Sequence, residues 1–137
     1  MGRFSVDFEV RNYQDVCQAA AGVLPLEKIR SARITGLVDT GATSLVLPEA
    51  LVSQLGLREK ENVVVRYADH RSAQRKKVSD AEVALLGRTG VFSAIVEPGR
   101  TEALVGAIVL EELDLIADCT AQKLEPRDPR TVTAAIG

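Results

Sequence analysis

Leu37-Val38-Asp39-Thr40-Gly41-Ala42-Thr43 is the stretch on which the reading of this chain turns. Asp-Thr-Gly is good turn chemistry, because Asp hydrogen-bonds forward to nearby backbone and Gly accepts conformations other residues avoid. As a bare tripeptide, Asp-[Ser/Thr]-Gly is expected by chance in roughly one chain in fifteen of this length. Its surroundings therefore decide. Ile34, Leu37 and Val38 come immediately before it, so the carboxylate stands at the end of a buried strand. Ala42-Thr43-Ser44 and the run Leu45-Val46-Leu47 follow. A surface turn rarely has apolar chain on both sides. Gly41 lets the backbone approach a twofold axis or a bound substrate closely.

Outward from that turn the pattern is mostly β. Phe4, Val6, Phe8 and Val10 alternate with Ser5, Asp7, Glu9 and Arg11, the period of a half-buried strand. A short helix is expected over Val16–Ala21, and a second strand over Ile29–Val38. Leu47–Leu55 reads as a short helix with Pro48 in its first turn and Gly56 just past its end. Glu61–Tyr67 and Gln74–Leu86 read as strands around a polar turn at Ala68–Ser72. Gly87–Gly90 reads as a second hairpin turn, and Val91–Val96 as the next strand. A short helix at Ile108–Leu113, extended pieces at Leu115–Asp118 and Lys123–Leu124, and a terminal strand at Val132–Ile136 complete the chain. Many short strands, with two short helices beside the weaker Val16–Ala21 segment, predict a mostly-β, barrel-like domain. Leu37-Val38-Asp39-Thr40-Gly41-Ala42 and Leu104-Val105-Gly106-Ala107 each precede a helix and then a Leu-x-Leu, Leu55-Gly56-Leu57 and Leu113-Asp114-Leu115. That repeat suggests internal pseudo-twofold symmetry.

The Leu37–Thr43 run resembles the active-site loop of the retroviral-type (retropepsin-like) aspartic proteases, in particular their small bacterial and archaeal members. Leu37–Thr43 matches that loop residue by residue. Tyr67-Ala68-Asp69-His70 falls where the family has its hairpin flap. Ala103-Leu104-Val105-Gly106, followed by Leu110 and Leu113, matches the second apolar-apolar-Gly loop and its helix. The resemblance covers about Phe4 to Glu125 and implies a closed acid-protease barrel with one or two short helices and a flap hairpin. It implies Asp39 as the catalytic carboxylate, with Thr40 and Gly41 supporting the loop. Peptide would lie against Ala42 and Thr43 from below and Ala68, Asp69 and His70 of the flap from above. Retroviral members usually carry an acidic residue where this chain has Thr43. The chemistry needs two carboxylates, and only one Asp-Thr-Gly is present. The resemblance thus implies a homodimer acting on a peptide or protein substrate, with Asp39 facing the partner's Asp39. A non-proteolytic dimeric binding domain that keeps the fold is the other reading open to the sequence.

Composition is that of a globular chain and excludes several other classes. The chain has 137 residues, 46% hydrophobic and 26% charged, which predicts one domain spanning 1–137. A net charge of −2 and an aromatic content of 4% give no reason to expect nucleic acid. Arg71, Arg75, Lys76 and Lys77 read as a solvated face. The longest aliphatic stretch, Ala103–Leu110, is far too short to span a bilayer. No apolar segment follows Arg3, so no signal peptide is read, and a cytoplasmic chain is expected. Cys17 and Cys119 stand apart without a C-x-x-C partner, and a bridge between them is left open. His70 is the single histidine. No metal site and no cofactor are expected, and the acid–base chemistry of paired carboxylates requires neither. Asp118 lacks a following Gly and reads as a structural turn.

Overall fold

The computed structural model describes residues 3–137. Its strands are β1 (Phe4–Asn12), β2 (Ser31–Val38), β3 (Leu45–Pro48), β4 (Glu59–Arg66), β5 (Ser72–Leu85), β6 (Arg88–Glu97), β7 (Ala103–Val105), β8 (Leu115–Asp118) and β9 (Lys123–Pro126). Three short helices join them, α1 (Tyr13–Ala20), α2 (Glu49–Leu55) and α3 (Ala107–Leu113), with a 3₁₀ turn at Leu26–Lys28. The resemblance implies one or two short helices, and the structure has three, the additional one being α1.

Six strands close into a barrel in the order β1-β2-β7-β3-β6-β5, sealed by pairing of β1 with β5. The period-two pattern of β1 explains its place. Phe4, Phe8 and Val10 are buried, and the intervening residues face outward or half outward. Leu45, Leu47, Val83, Val105 and Val109 join them in one core. The antiparallel register of β1 with β2 runs from Arg11↔Ser31 to Phe4↔Val38.

Strand β5 is long because it serves two neighbours on one edge. Its first half pairs with β4, and Ala81–Ala84 pair with β1. Between them the register with β6 shifts between Val78 and Ala81, where Asp80 has φ +63. A bulge of this kind bends a strand. It lets the β4–β5 hairpin leave the barrel while the rest of β5 closes it.

Four sequence expectations are corrected. Helix α1 starts at Tyr13 rather than Val16, because the Asn12 side chain accepts from the Asp15 N–H and caps it there. Leu47 belongs to β3, opposite Val96, and not to α2. Pro48 has extended backbone (φ −61, ψ 144), so the helix begins only at Glu49. The second hairpin turn is Leu86-Gly87, with φ +53 and +77, and Arg88–Gly90 already lie in β6. Positive φ at both central residues is what a two-residue hairpin of right-handed twist requires. Val132–Ile136 forms no strand, and Ile136 is 97% exposed. A strand needs a neighbour to pair with. The chain before it is held instead by Arg88, whose guanidinium donates to the Leu113, Asp114, Asp128 and Thr131 carbonyls.

Candidate active site

The Asp39 loop is built by two strands that meet in parallel. Leu37 and Val38 of β2 lie beside Leu104 and Val105 of β7. Continuing that register sets Asp39 beside Gly106, the corresponding point of the second repeat. The Asp39 N–H donates to the Val105 carbonyl at 3.1 Å. The Ala42 N–H donates back to the Asp39 carbonyl at 3.1 Å, and the Gly41 N–H donates to Asp39 Oδ1 at 3.0 Å. The carboxylate is therefore oriented by its own turn, as Asx chemistry predicts.

The second repeat holds the loop from behind. The N–H groups of Ala107 and Ile108, in the first turn of α3, donate to the Ala42 and Thr43 carbonyls at 2.8 and 3.0 Å. Gly106 makes this possible. A Cβ there would stand 2.6 Å from the Thr43 carbonyl carbon and would collide with the Ser44 carbonyl as well. This close approach is the physical reason for a glycine after Leu104-Val105.

Asp39, Thr40, Gly41, Ala42 and Thr43 form one continuous face. The Asp39 side chain is 17% exposed, Thr40, Gly41 and Thr43 are exposed, and Ala42 is half-buried. Asp39 Oδ2 faces the Arg3 guanidinium at 3.3 Å. Sequence reading missed Arg3. The only signal is the β1–β2 register, which sets Arg3 across from Asp39 once Phe4 is across from Val38.

Ala68, Asp69 and His70 lie on a different element, the exposed tip of the β4–β5 hairpin. Tyr67 N–H donates to the Arg71 carbonyl at 2.9 Å, and His70 N–H to the Tyr67 carbonyl at 3.0 Å. His70 has φ +69. Arg71 pairs with Asp69 at 2.7 Å, and that hydrogen bond holds the Asp69 carboxyl below its ordinary value. The Arg71 guanidinium also stacks 4.9 Å from the centre of the Tyr67 ring. Tyr67 OH donates to Glu97 at 2.8 Å, and Arg75 Nε reaches the same carboxylate at 2.5 Å. Burial, then the bond to Glu97, pushes the Tyr67 phenol above its usual value. This link between the hairpin base and the end of β6 joins residues 30 apart in sequence, and no local pattern announces it.

The remaining candidates are structural. Asp118 Oδ1 accepts from the Thr120 and Ala121 N–H groups, an Asx turn. Cys17 and Cys119 form no disulfide. Arg71, Arg75 and Lys76 pair with Asp69, Glu97 and Glu59. Among the described residues no helix is long and apolar enough to cross a membrane.

A closed six-strand barrel with an Asp-Thr-Gly loop buttressed by a second apolar-apolar-Gly loop defines the retropepsin-like fold. The family model described as "gag-polyprotein putative aspartyl protease" matches residues 28–112, and the chain belongs to that family. Among solved structures, EIAV protease complexed with the inhibitor HBY-793 matches with a TM-score of 0.51 and 19% identity, covering 59% of this chain and 77% of that one. No curated protein matches. Family and structural neighbour are both aspartic proteases.

Proposed function

We propose that the chain is a single retropepsin-like domain that works as a homodimeric aspartic endopeptidase. Asp39 is the catalytic carboxylate. The observation that carries this reading is the Asp39 carboxylate itself. It is oriented by Gly41 N–H and set on an exposed loop whose matching position in the second repeat is Gly106. The chain supplies one carboxylate where the chemistry needs two, and a C2 dimer supplies the other.

Two carboxylates brought about 3 Å apart, as aspartic proteases are known to hold them, share one proton because both cannot ionise. The ionised Asp39 takes a proton from a water as the water oxygen attacks the peptide carbonyl carbon. The protonated Asp39 of the partner subunit donates to the oxygen that becomes negative. The tetrahedral intermediate then collapses, the leaving nitrogen takes a proton from the pair, and the C–N bond breaks. Thr40 and Gly41 hold the loop. Peptide backbone runs extended along Ala42 and Thr43. Ala68, Asp69 and His70 close over it as a flap, and the water is thereby shielded from bulk solvent.

The test is a peptide with a tetrahedral hydroxyl-bearing carbon in place of the scissile amide. Calorimetry should find one molecule bound per two chains, and Asp39→Ala should abolish binding. Binding of one molecule per chain, or binding that survives Asp39→Ala, would contradict the shared site.

A further inference from the structure

Both oxygens of Asp39 are engaged in the single chain. Oδ1 receives the Gly41 N–H at 3.0 Å. Oδ2, the oxygen the turn leaves open, faces Arg3 Nη2 at 3.3 Å. Arg3 is not placed there by chance. β1 and β2 are antiparallel with Phe4 opposite Val38 at the end of their ladder, and continuing that register one residue further sets Arg3 across from Asp39. Opposite charges directly across two strands attract. The Arg3 side chain is 59% exposed and the Asp39 side chain 17%. The guanidinium therefore covers the solvent side of a largely enclosed carboxylate.

We infer that Arg3 is an intramolecular plug on the active site, released when a second copy of the chain docks. This rests on the homodimer proposed above. A second carboxylate must come within about 3 Å of the first, and Arg3 Nη2 already holds a position at that distance from Oδ2. The plug can leave by rotating the Arg3 side chain, with β1 still paired to β2. Pairing of the two Asp39 groups and release of the two Arg3 contacts are then one equilibrium, and the contact in the isolated chain opposes dimerisation at the carboxylate itself.

The size of the effect follows from the class of contact. A partly exposed ion pair stabilises by a factor of about 1.4 to 5. Two such contacts are lost per dimer. Arg3→Gln should therefore tighten the dimer dissociation constant about two- to twenty-fivefold, read by sedimentation of fluorescently labelled chain across nanomolar to micromolar concentration. Arg3→Lys keeps the charge and should stay near the parent. In an Asp39→Asn background Arg3→Gln should leave the constant unchanged, because the carboxylate it plugs is gone. A dissociation constant that rises or stays the same in Arg3→Gln overturns the inference and leaves the dimer intact. So does an equal tightening in the Asp39→Asn background. A chain that never dimerises, with or without Arg3, overturns the dimer reading and this inference with it.

Discussion

The two strand–loop–helix units of the chain end alike and begin differently. Helices α2 and α3 each have seven residues. Each is followed by a left-handed residue, Gly56 (φ +62) or Asp114 (φ +56), and then by a buried leucine, Leu57 or Leu115. Each pair of terminal carbonyls is satisfied by a side chain from elsewhere. Asn12 Nδ2 donates to the Leu55 and Gly56 carbonyls, and Arg88 Nη1 donates to those of Leu113 and Asp114. The difference lies in front of the helix. The first unit inserts Asp39–Ser44 and β3 between its strand and α2. The second passes through Gly106 straight into α3. One unit thus presents a carboxylate, and the other spends its glycine and its first helical N–H groups on holding that loop. On the proposed function, similar architecture divides into chemistry and support, and one chain supplies half a site.

Removing the carboxylate attacks that division most directly. Asp39→Asn should lower kcat/KM for peptide cleavage by at least about 10²–10⁴-fold, the range of general acid–base terms. The circular dichroism spectrum should be unchanged. Wild-type cleavage by that variant would place the chemistry elsewhere.

The helices, by contrast, should respond equally. Leu55 and Leu113 are both fully buried, so Leu55→Ala and Leu113→Ala should each cost about 2–5 kcal/mol in urea unfolding. A cost confined to one helix would break the symmetry of the two units.

The support role is sharpened by Gly106→Ala. The added Cβ meets backbone rather than a flexible side chain, so the loop has to shift. Stability should fall by about 1–3 kcal/mol. Cleavage should fall further than a stability loss of that size explains, because Ala42 and Thr43 move with the loop. Activity equal to wild type would show that α3 does not position Asp39.

The smallest effect concerns the acids beside the two helix ends. Asp15 accepts three hydrogen bonds from Arg30, whose guanidinium packs against Gly56. Those bonds hold the Asp15 carboxyl below its ordinary value despite its burial. Asp114 is likewise lowered, first by the Thr133 N–H and then by Arg127. A carboxyl lowered in the folded state stabilises above its unfolded value, near pH 3.9, and that stability is lost as pH falls through the folded value. Asp15→Asn should therefore cost about 1–3 kcal/mol at pH 7. The gap to wild type should narrow as urea unfolding is repeated towards pH 3. Asp114→Asn should show the same direction. A gap that widens in acid would show that the ionised carboxyls do not stabilise the fold.

The barrel was legible where the sequence pattern is local. Alternation in Phe4–Val10, Gly56 after Leu55, and the polar turn at Ala68–Ser72 each act within a few residues. The Asp39 loop was legible for the same reason, since its turn satisfies itself. Leu86 was not, because a leucine at positive φ carries no turn signature and only the tight β5–β6 register imposes it. Pro48 suits a first helical turn and a cap equally, and the pairing of Leu47 with Val96 decides between them. Arg3 and the Tyr67–Glu97–Arg75 link join elements distant in sequence. Such contacts become visible only once strand register is known. The alternation in Val132–Ile136 describes a segment that finds no strand to pair with inside one chain.

The proposed chemistry depends on two copies of Asp39 making one site. A crystal structure of the assembled protein measures it directly, through the distance between Asp39 carboxylate oxygens across the twofold axis. The expected distance is about 3 Å, with the two Asp39 loops in contact and the Arg3 guanidinium turned away from Oδ2. A dimer in which the two carboxylates lie beyond hydrogen-bonding reach, each still covered by its own Arg3, would contradict it.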